Sequence, residues 1–147
     1  MIEERSAGAV IFNENDGVTN FLLLNYPAGH WDFPKGNIEK GELPHDTVRR
    51  EVSEEIGNNN IEILPIFQKK IVYYYRRNAG MVHKEVIFFL ARVFTLDVTL
   101  SHEHKNYLWL DIEKALNKVT YRNSKNTLKA ASKFLDEAPI HRDELVP

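Results

Sequence analysis

The amino-acid sequence predicts one α/β domain, a mixed β-sheet sandwiched between α-helices. Runs of β-branched and aromatic residues alternate along the chain with segments whose apolar residues recur at helical spacing. A length of 147 residues, with 43% hydrophobic and 27% charged residues, also suits one globular domain. We expect this domain over residues 1–138, followed by a flexible polar tail over 139–147.

The first strands are expected to form a hairpin. Ser6–Phe12 and Phe21–Tyr26 are strand-like runs, and the polar segment 13–17 between them favours a turn. Residues 27–44 contain three prolines and no regular period, which predicts a loop.

A helix is expected between Pro44 and Gly57. Proline suits the first turn of a helix, Asp46 adds a negative charge there, and glycine suits the C-terminal stop. At about 100° per residue, three apolar side chains fall on one stripe: Val48, Val52 and Ile56.

The second half of the chain predicts further strands and then helices. Ile61–Arg76 and Met81–Leu96 are rich in β-branched and aromatic residues and are expected to pair through a turn at 77–80. The remaining predicted elements are one short strand and two helices: Tyr107–Leu110, Asp111–Lys118 and Ser124–Glu137.

Composition excludes several classes of function. A net charge of −2 provides no bulk attraction to nucleic acid or to an anionic membrane. Without cysteine, the chain has no disulfide, thiolate metal ligand or cysteine nucleophile. The apolar run Ala7–Phe12 is too short for a signal sequence or a membrane span. We therefore expect a soluble cytoplasmic protein without a nucleic-acid or membrane partner, whose oligomeric state stays open.

Three carboxylates crowd one arc of the predicted central helix. Glu51, Glu54 and Glu55 fall within about 100° of each other, and like charges at these spacings destabilise a helix. Arg50 can offset one of them but not all three. An acidic helix face is commonly just solvated, yet carboxylates beside a glycine turn also suit a hard divalent cation such as Mg²⁺.

These residues lie in a longer pattern. Gly36, Glu42 and the run Arg50–Gly57 (REVSEEIG) resemble the Nudix box, with Asn58 where the family usually has an apolar residue. The resemblance implies the Nudix fold and hydrolysis of a nucleoside diphosphate linked to another group. It also implies dependence on Mg²⁺ or Mn²⁺, with four ligands: Glu51, Glu54, Glu55 and the Gly36 carbonyl. In this family picture Arg50 orients a glutamate, and Glu42 is a supporting residue or a structural salt bridge.

A second resemblance concerns the substrate. Leu100–Leu110 (LSHEHKNYLWL) is similar to a segment of asymmetrical diadenosine tetraphosphate hydrolases, as are Phe21–Leu24 and His30–Trp31. Tyr73 and Lys84 match the same family. Such enzymes cleave the dinucleotide into ATP and AMP.

This resemblance implies roles for individual residues. Glu103 becomes a metal ligand or the general base, with Glu54 as the alternative base. The candidate substrate contacts are His30, Lys35, Tyr73, Lys84, His102, His104 and Tyr107, the two tyrosines for stacking and the lysines for phosphate. Packing is an alternative for each tyrosine. Tyr73, Tyr74 and Tyr75 must alternate faces in a strand, and packing beneath Trp109 is the alternative for Tyr107. The His102-x-His104 pattern is a weak zinc site without a third histidine nearby or a cysteine.

Three functions remain in view. The first is hydrolysis of diadenosine polyphosphates. The second is a Nudix hydrolase for a modified nucleoside triphosphate, a dinucleotide cofactor, a nucleotide sugar or a capped RNA 5′ end. The third is a nucleotide sensor without catalysis, which is disfavoured because every carboxylate of the box is present.

Overall fold

The computed structural model describes residues 1–78 and 80–137, so the predicted tail at 139–147 lies outside the described residues. Within them the strands are Ile2–Asn15 (β1), Val18–Asn25 (β2), Trp31–Asp32 (β3), Lys35–Asn37 (β4), Ile61–Ile63 (β5), Lys69–Arg77 (β6), Gly80–Val93 (β7) and Asn106–Leu110 (β8). The helices are Pro44–Ile56 (α1), Ile112–Lys118 (α2) and Arg122–Glu137 (α3).

The strands form one mixed sheet built around β1. This strand runs antiparallel to β2 and parallel to β7, and the spatial order is β3-β2-β1-β7-β5. Three further antiparallel pairs extend the sheet: β4 with β1, β6 with β7, and β8 with β2. The hairpin predicted from Ser6 to Tyr26 is confirmed, as is the pairing of β6 with β7.

Apolar residues are buried on both faces of the sheet. Ala7, Ala9 and Ile11 of β1 pack in the cluster that includes the predicted stripe of α1. Val10 and Phe12 point to the opposite face, whose cluster includes Leu128, Ala131 and Leu135 of α3. Successive side chains of a strand alternate faces, so a continuous apolar run indicates burial on both sides. The predicted sandwich of a sheet between helices is confirmed.

The ends of α1 agree with the sequence prediction. Pro44 opens the helix, and Asp46 Oδ2 accepts a hydrogen bond of 2.9 Å from the Leu43 N–H. Gly57 closes it with φ of +68°, a left-handed conformation that glycine adopts without steric cost. Its N–H donates to the Ser53 carbonyl at 3.0 Å.

Two predicted boundaries are wrong. The expected strand Ile61–Arg76 is divided into β5 and β6 around Pro65, since proline has no N–H to donate to a strand ladder. Leu64 and Phe67 are instead buried in the core between the two strands. The segment 27–44, expected to be a loop, contains the short strands β3 and β4.

Among the described residues, no helix is both long and apolar enough to cross a membrane.

Candidate active site

The three glutamates of α1 differ sharply in exposure. The side chain of Glu54 is 60% exposed, that of Glu51 15% and that of Glu55 only 5%. One helix therefore presents an exposed, a half-buried and a buried carboxylate within two turns. The predicted arc of negative charge is not a uniformly solvated face.

Arg50 holds part of this arc in place. Its guanidinium donates two hydrogen bonds to Glu42, of 2.7 and 3.1 Å, and one of 2.7 Å to Glu51 Oε1. A further bond of 2.9 Å reaches the Asn37 carbonyl. Charge-assisted forked contacts of this kind restrict both partners. The hydrogen bond from Arg50, followed by that from the Glu39 backbone, lowers the pKa of Glu42 to about 2.

Gly36 allows Glu51 to lie against the backbone. Strand β4 pairs with β1, with Gly36 opposite Ala7, and presents the bare Cα of the glycine to helix α1. A Cβ at this position would overlap the Glu51 carboxylate. Only glycine permits so close an approach.

Glu55 is a buried carboxylate bonded to a buried histidine. Its Oε1 lies 2.7 Å from Nε2 of His104, whose side chain is 1% exposed. Burial raises the pKa of Glu55 to about 7, and the hydrogen bond from His104 opposes this rise. The second oxygen, Oε2, is buried and has no hydrogen-bond partner among the described residues.

The structure places His102 and His104, both predicted from the sequence as substrate contacts, in different environments. His104 is buried against Glu55 and against the ring edge of Tyr26, 4.6 Å between centroids. The structure therefore brings the side chain that the sequence predicts as a substrate contact against Glu55, where it is only 1% exposed. His102 is exposed in the same loop.

Glu103 is exposed on the turn between these histidines. This turn is docked on the end of α1, where the Ser101 N–H donates to the Glu55 carbonyl at 3.1 Å. The pKa of Glu51 is raised, first by burial and further by the negative charges of Glu54 and Glu103. Glu103, from a distant part of the chain, thus adds a fourth carboxylate to the same electrostatic environment.

The donor set suits a hard divalent cation. Within residues 1–78 and 80–137, no three side chains of His, Asp or Glu stand together as a finished metal cluster. The Glu51 carboxylate accepts a hydrogen bond from Arg50, and the Glu54 side chain is exposed. The bare Oε2 of Glu55 nevertheless marks a place where a buried carboxylate oxygen lacks the partner that it normally has. A cation would supply that partner and relieve the repulsion along α1.

A cavity of about 530 Å³ lies beside these carboxylates. It is lined by His30, Asp32, Lys35, Ile71, Tyr73, Tyr121, Arg122, Asn123 and Ser124. His30, Lys35 and Tyr73 are among the predicted substrate contacts. The glutamates of α1 do not line this cavity, but Lys35 adjoins Gly36 and so connects the two regions.

Asp32 ties together the walls of this cavity. Its side chain is 2% exposed and accepts hydrogen bonds from Ser124 Oγ at 3.0 Å and from the Phe33 N–H at 2.8 Å. Lys35 Nζ lies 3.3 Å away. The backbone of Trp31 also bonds both ways with Thr120. The loop before β4 and the start of α3 are therefore joined.

Sequence analysis missed this wall of the cavity. The last predicted helix begins at Ser124, so it leaves out Tyr121, Arg122 and Asn123. Asp32 lies in the segment 27–44, which the sequence predicts to be a loop. The aromatic and polar run YRNS at the start of an amphipathic helix was the available signal. Nothing local shows that this run meets residues about 90 positions earlier.

The other predicted contacts lie outside the cavity. Lys84 stands opposite Tyr73 in the β6–β7 ladder, and its Nζ donates to Asn37 Oδ1 at 3.0 Å and to Glu4 at 3.3 Å. It therefore lies beside the end of β4. Tyr107 pairs with Leu24 and packs, half-buried, against the apolar cluster on the α1 side. The structure does not bring Tyr107 to the cavity.

The fold and the carboxylate-bearing helix together define a class of protein. The chain belongs to the NUDIX family, since the model for the NUDIX domain matches residues 3–131. It is accordingly a Nudix hydrolase. The predicted fold, family and enzyme class are confirmed.

Several proteins of named function are similar in sequence to this chain over most of its length. The chain is 32% identical to the mouse bis(5′-nucleosyl)-tetraphosphatase (asymmetrical), covering 92% of this chain and 97% of the relative. A Caenorhabditis elegans protein of the same name is 35% identical, covering 89% of this chain and 96% of the relative. An RNA pyrophosphohydrolase of Sulfurovum is 34% identical, covering 75% of this chain and 76% of the relative.

A solved structure agrees with these matches. A binary complex of the C. elegans Ap4A hydrolase has a TM-score of 0.81 and 31% sequence identity to this chain. The match covers 91% of this chain and 98% of that one.

Proposed function

We propose that this protein hydrolyses a pyrophosphate bond of diadenosine tetraphosphate and releases ATP and AMP, with Mg²⁺ or Mn²⁺ as its cofactor. The observation that carries the proposal is the adjacency of two regions across Lys35 and Gly36: an acidic helix and a cavity of nucleoside size with aromatic walls. The names of the mouse and C. elegans relatives support the same substrate.

The acidic region would hold the cofactor. Its ligands would be Glu51, Glu54 and Glu55 with the Gly36 carbonyl. A bound divalent cation neutralises phosphate charge and lowers the pKa of a bound water. Arg50 keeps Glu51 in place through its 2.7 Å hydrogen bond.

The reaction transfers a nucleotidyl group to water. Water attacks one of the two phosphorus atoms nearest to one adenosine, the bond from that phosphorus to the oxygen that bridges the two breaks, and this oxygen leaves on the other nucleotide. We assign Glu103 as the base that takes the proton from water. It is exposed and lies outside α1, whereas Glu54, the alternative base, is itself an expected ligand.

The cavity would bind one adenosine. Tyr73 on β6 and Tyr121 before α3 lie on its lining, together with His30, which stacks on Tyr26 at 4.7 Å between centroids. Flat side chains of this kind stack on bases. Lys35 in β4 and Lys84, which donates to Asn37 at the end of β4, would contact the phosphates where the polyphosphate of the substrate leaves the cavity.

One other activity has a specific observation in its favour. The Sulfurovum relative is named an RNA pyrophosphohydrolase, so hydrolysis of a pyrophosphate bond in an RNA substrate is the second candidate. A catalytically silent nucleotide sensor is the third, and the complete set of carboxylates disfavours it.

A substrate panel tests the proposal. The purified protein is incubated with Mg²⁺ and diadenosine tetraphosphate, 5′-triphosphorylated RNA, nucleoside triphosphate analogues, dinucleotide cofactors or nucleotide sugars, and the products are separated by chromatography. We expect the highest kcat/KM for diadenosine tetraphosphate, with ATP and AMP in equal amounts. ADP as the sole product, or faster turnover of another substrate, would contradict the proposal. Binding without turnover would support a sensor.

A further inference from the structure

His104 occupies an unusual position for a histidine of a surface loop. Its side chain is 1% exposed, and its Nε2 lies 2.7 Å from Glu55 Oε1, 49 positions earlier in the chain. When Glu55 is ionised, its carboxylate only accepts hydrogen bonds, and Nε2 then donates the hydrogen of this contact. Nε2 of the imidazole therefore binds Glu55 and is not available to a ligand from solvent.

This contact leaves the two oxygens of Glu55 unequal. His104 occupies Oε1, while Oε2 is buried and has no hydrogen-bond partner among the described residues. A carboxylate held by one oxygen cannot rotate freely, because rotation would break a buried hydrogen bond. The orientation of the unoccupied oxygen is therefore set by His104.

The imidazole itself is held by its surroundings. The Tyr26 ring meets it edge-on at 4.6 Å between centroids and 88° between planes, and the Tyr26 hydroxyl donates to the Phe33 carbonyl at 2.5 Å. The loop backbone adds bonds from Ser101 to the Glu55 carbonyl and from Lys105 to the Asn25 carbonyl. These contacts attach the turn that carries Glu103 to both α1 and β2.

We propose that His104 is a positioning residue that joins the cation site to the catalytic base: it orients Glu55 so that Oε2 remains available, and it anchors the turn that carries Glu103. This inference rests on the proposed function, in which Glu55 is a cation ligand and Glu103 is the base. Side chains that orient a ligand commonly contribute about 10- to 100-fold to metal affinity or activity.

The test measures Mn²⁺ binding to the full-length, metal-free protein without substrate, from the electron paramagnetic resonance signal of free Mn²⁺. H104F preserves a ring against Tyr26 and removes the donor. H104N and H104Q form a matched pair, because both carry an amide but only the longer glutamine reaches Glu55. K105A, at the exposed neighbouring side chain, is the control. Circular dichroism and thermal unfolding establish which variants are folded.

We expect H104F and H104N to weaken Mn²⁺ binding by about 10- to 100-fold, while H104Q and K105A stay close to the parent. In turnover, kcat should fall for the same two variants with KM nearly unchanged, since the cavity is untouched. Folded H104F and H104N that bind Mn²⁺ like the parent would overturn the inference. So would failure of both to fold, which would make His104 a residue of stability alone.

E55Q, measured in parallel, separates this inference from the proposed function. If E55Q binds Mn²⁺ as tightly as the parent, Glu55 is not a ligand and the proposed cation site is wrong. If E55Q loses Mn²⁺ while H104F and H104N retain it, only the role of His104 is wrong.

Discussion

Replacing Glu55 by glutamine should stabilise the metal-free protein at neutral and alkaline pH. Glutamine retains an oxygen that accepts the hydrogen bond from His104 and has nearly the same shape. It removes the negative charge that burial makes costly. Glu55, which we propose as a cation ligand, therefore destabilises the folded protein when no cation is bound.

The magnitude follows from the pKa of the buried carboxyl. Burial raises the pKa of Glu55 from 4.5 to about 7, and each pKa unit corresponds to about 1.4 kcal/mol. A raised carboxyl pKa means that the folded state favours the protonated form. Its contribution to stability is complete below about pH 4.5 and is lost as the pH rises to about 7. The total loss is about 3 kcal/mol, which E55Q avoids.

Urea unfolding in EDTA, followed by circular dichroism between pH 4.5 and 8.5, measures this effect. The free energy of unfolding of E55Q should match that of the parent at the lowest pH and exceed it by about 3 kcal/mol above pH 7. Saturating Mn²⁺ should restore stability to the parent more than to E55Q. The matched control is E54Q, which alters an exposed carboxylate on the same helix. An E55Q protein that is less stable than the parent at pH 8 in EDTA would refute the reasoning.

Four further substitutions test other parts of the site. G36A should abolish most turnover, since its Cβ would displace the Glu51 carboxylate; unchanged kcat with a folded protein would show that this close approach is not needed. Y73A and Y121A should each raise KM for diadenosine tetraphosphate by roughly 5- to 150-fold, the equivalent of about 1–3 kcal/mol of base stacking. Unchanged KM in both variants would place the adenine outside the cavity. E103Q should lower kcat by about 10²–10⁴ while Mn²⁺ affinity stays largely intact; near-normal kcat would move the base elsewhere.

Local chemistry explains why helix α1 was predictable. Proline at its start, glycine at its end and the apolar stripe of Val48, Val52 and Ile56 are all properties of neighbouring residues. The spacing from Gly36 to Gly57 likewise belongs to one contiguous segment. Errors arose where tertiary contacts compete with local preference, as at Pro65, where the predicted long strand is divided so that Leu64 and Phe67 enter the core.

The sequence by itself determined the family, the acidic helix and the residues that surround it. Only the tertiary structure decided which carboxylate is buried, that His104 is bonded to Glu55, and that Tyr121 shares a cavity with Tyr73. The physical reason is the distance along the sequence between the residues that interact. Helix caps and periodic stripes depend on residues a few positions apart, whereas burial, desolvation and cavity walls depend on segments that meet only when the sheet is assembled.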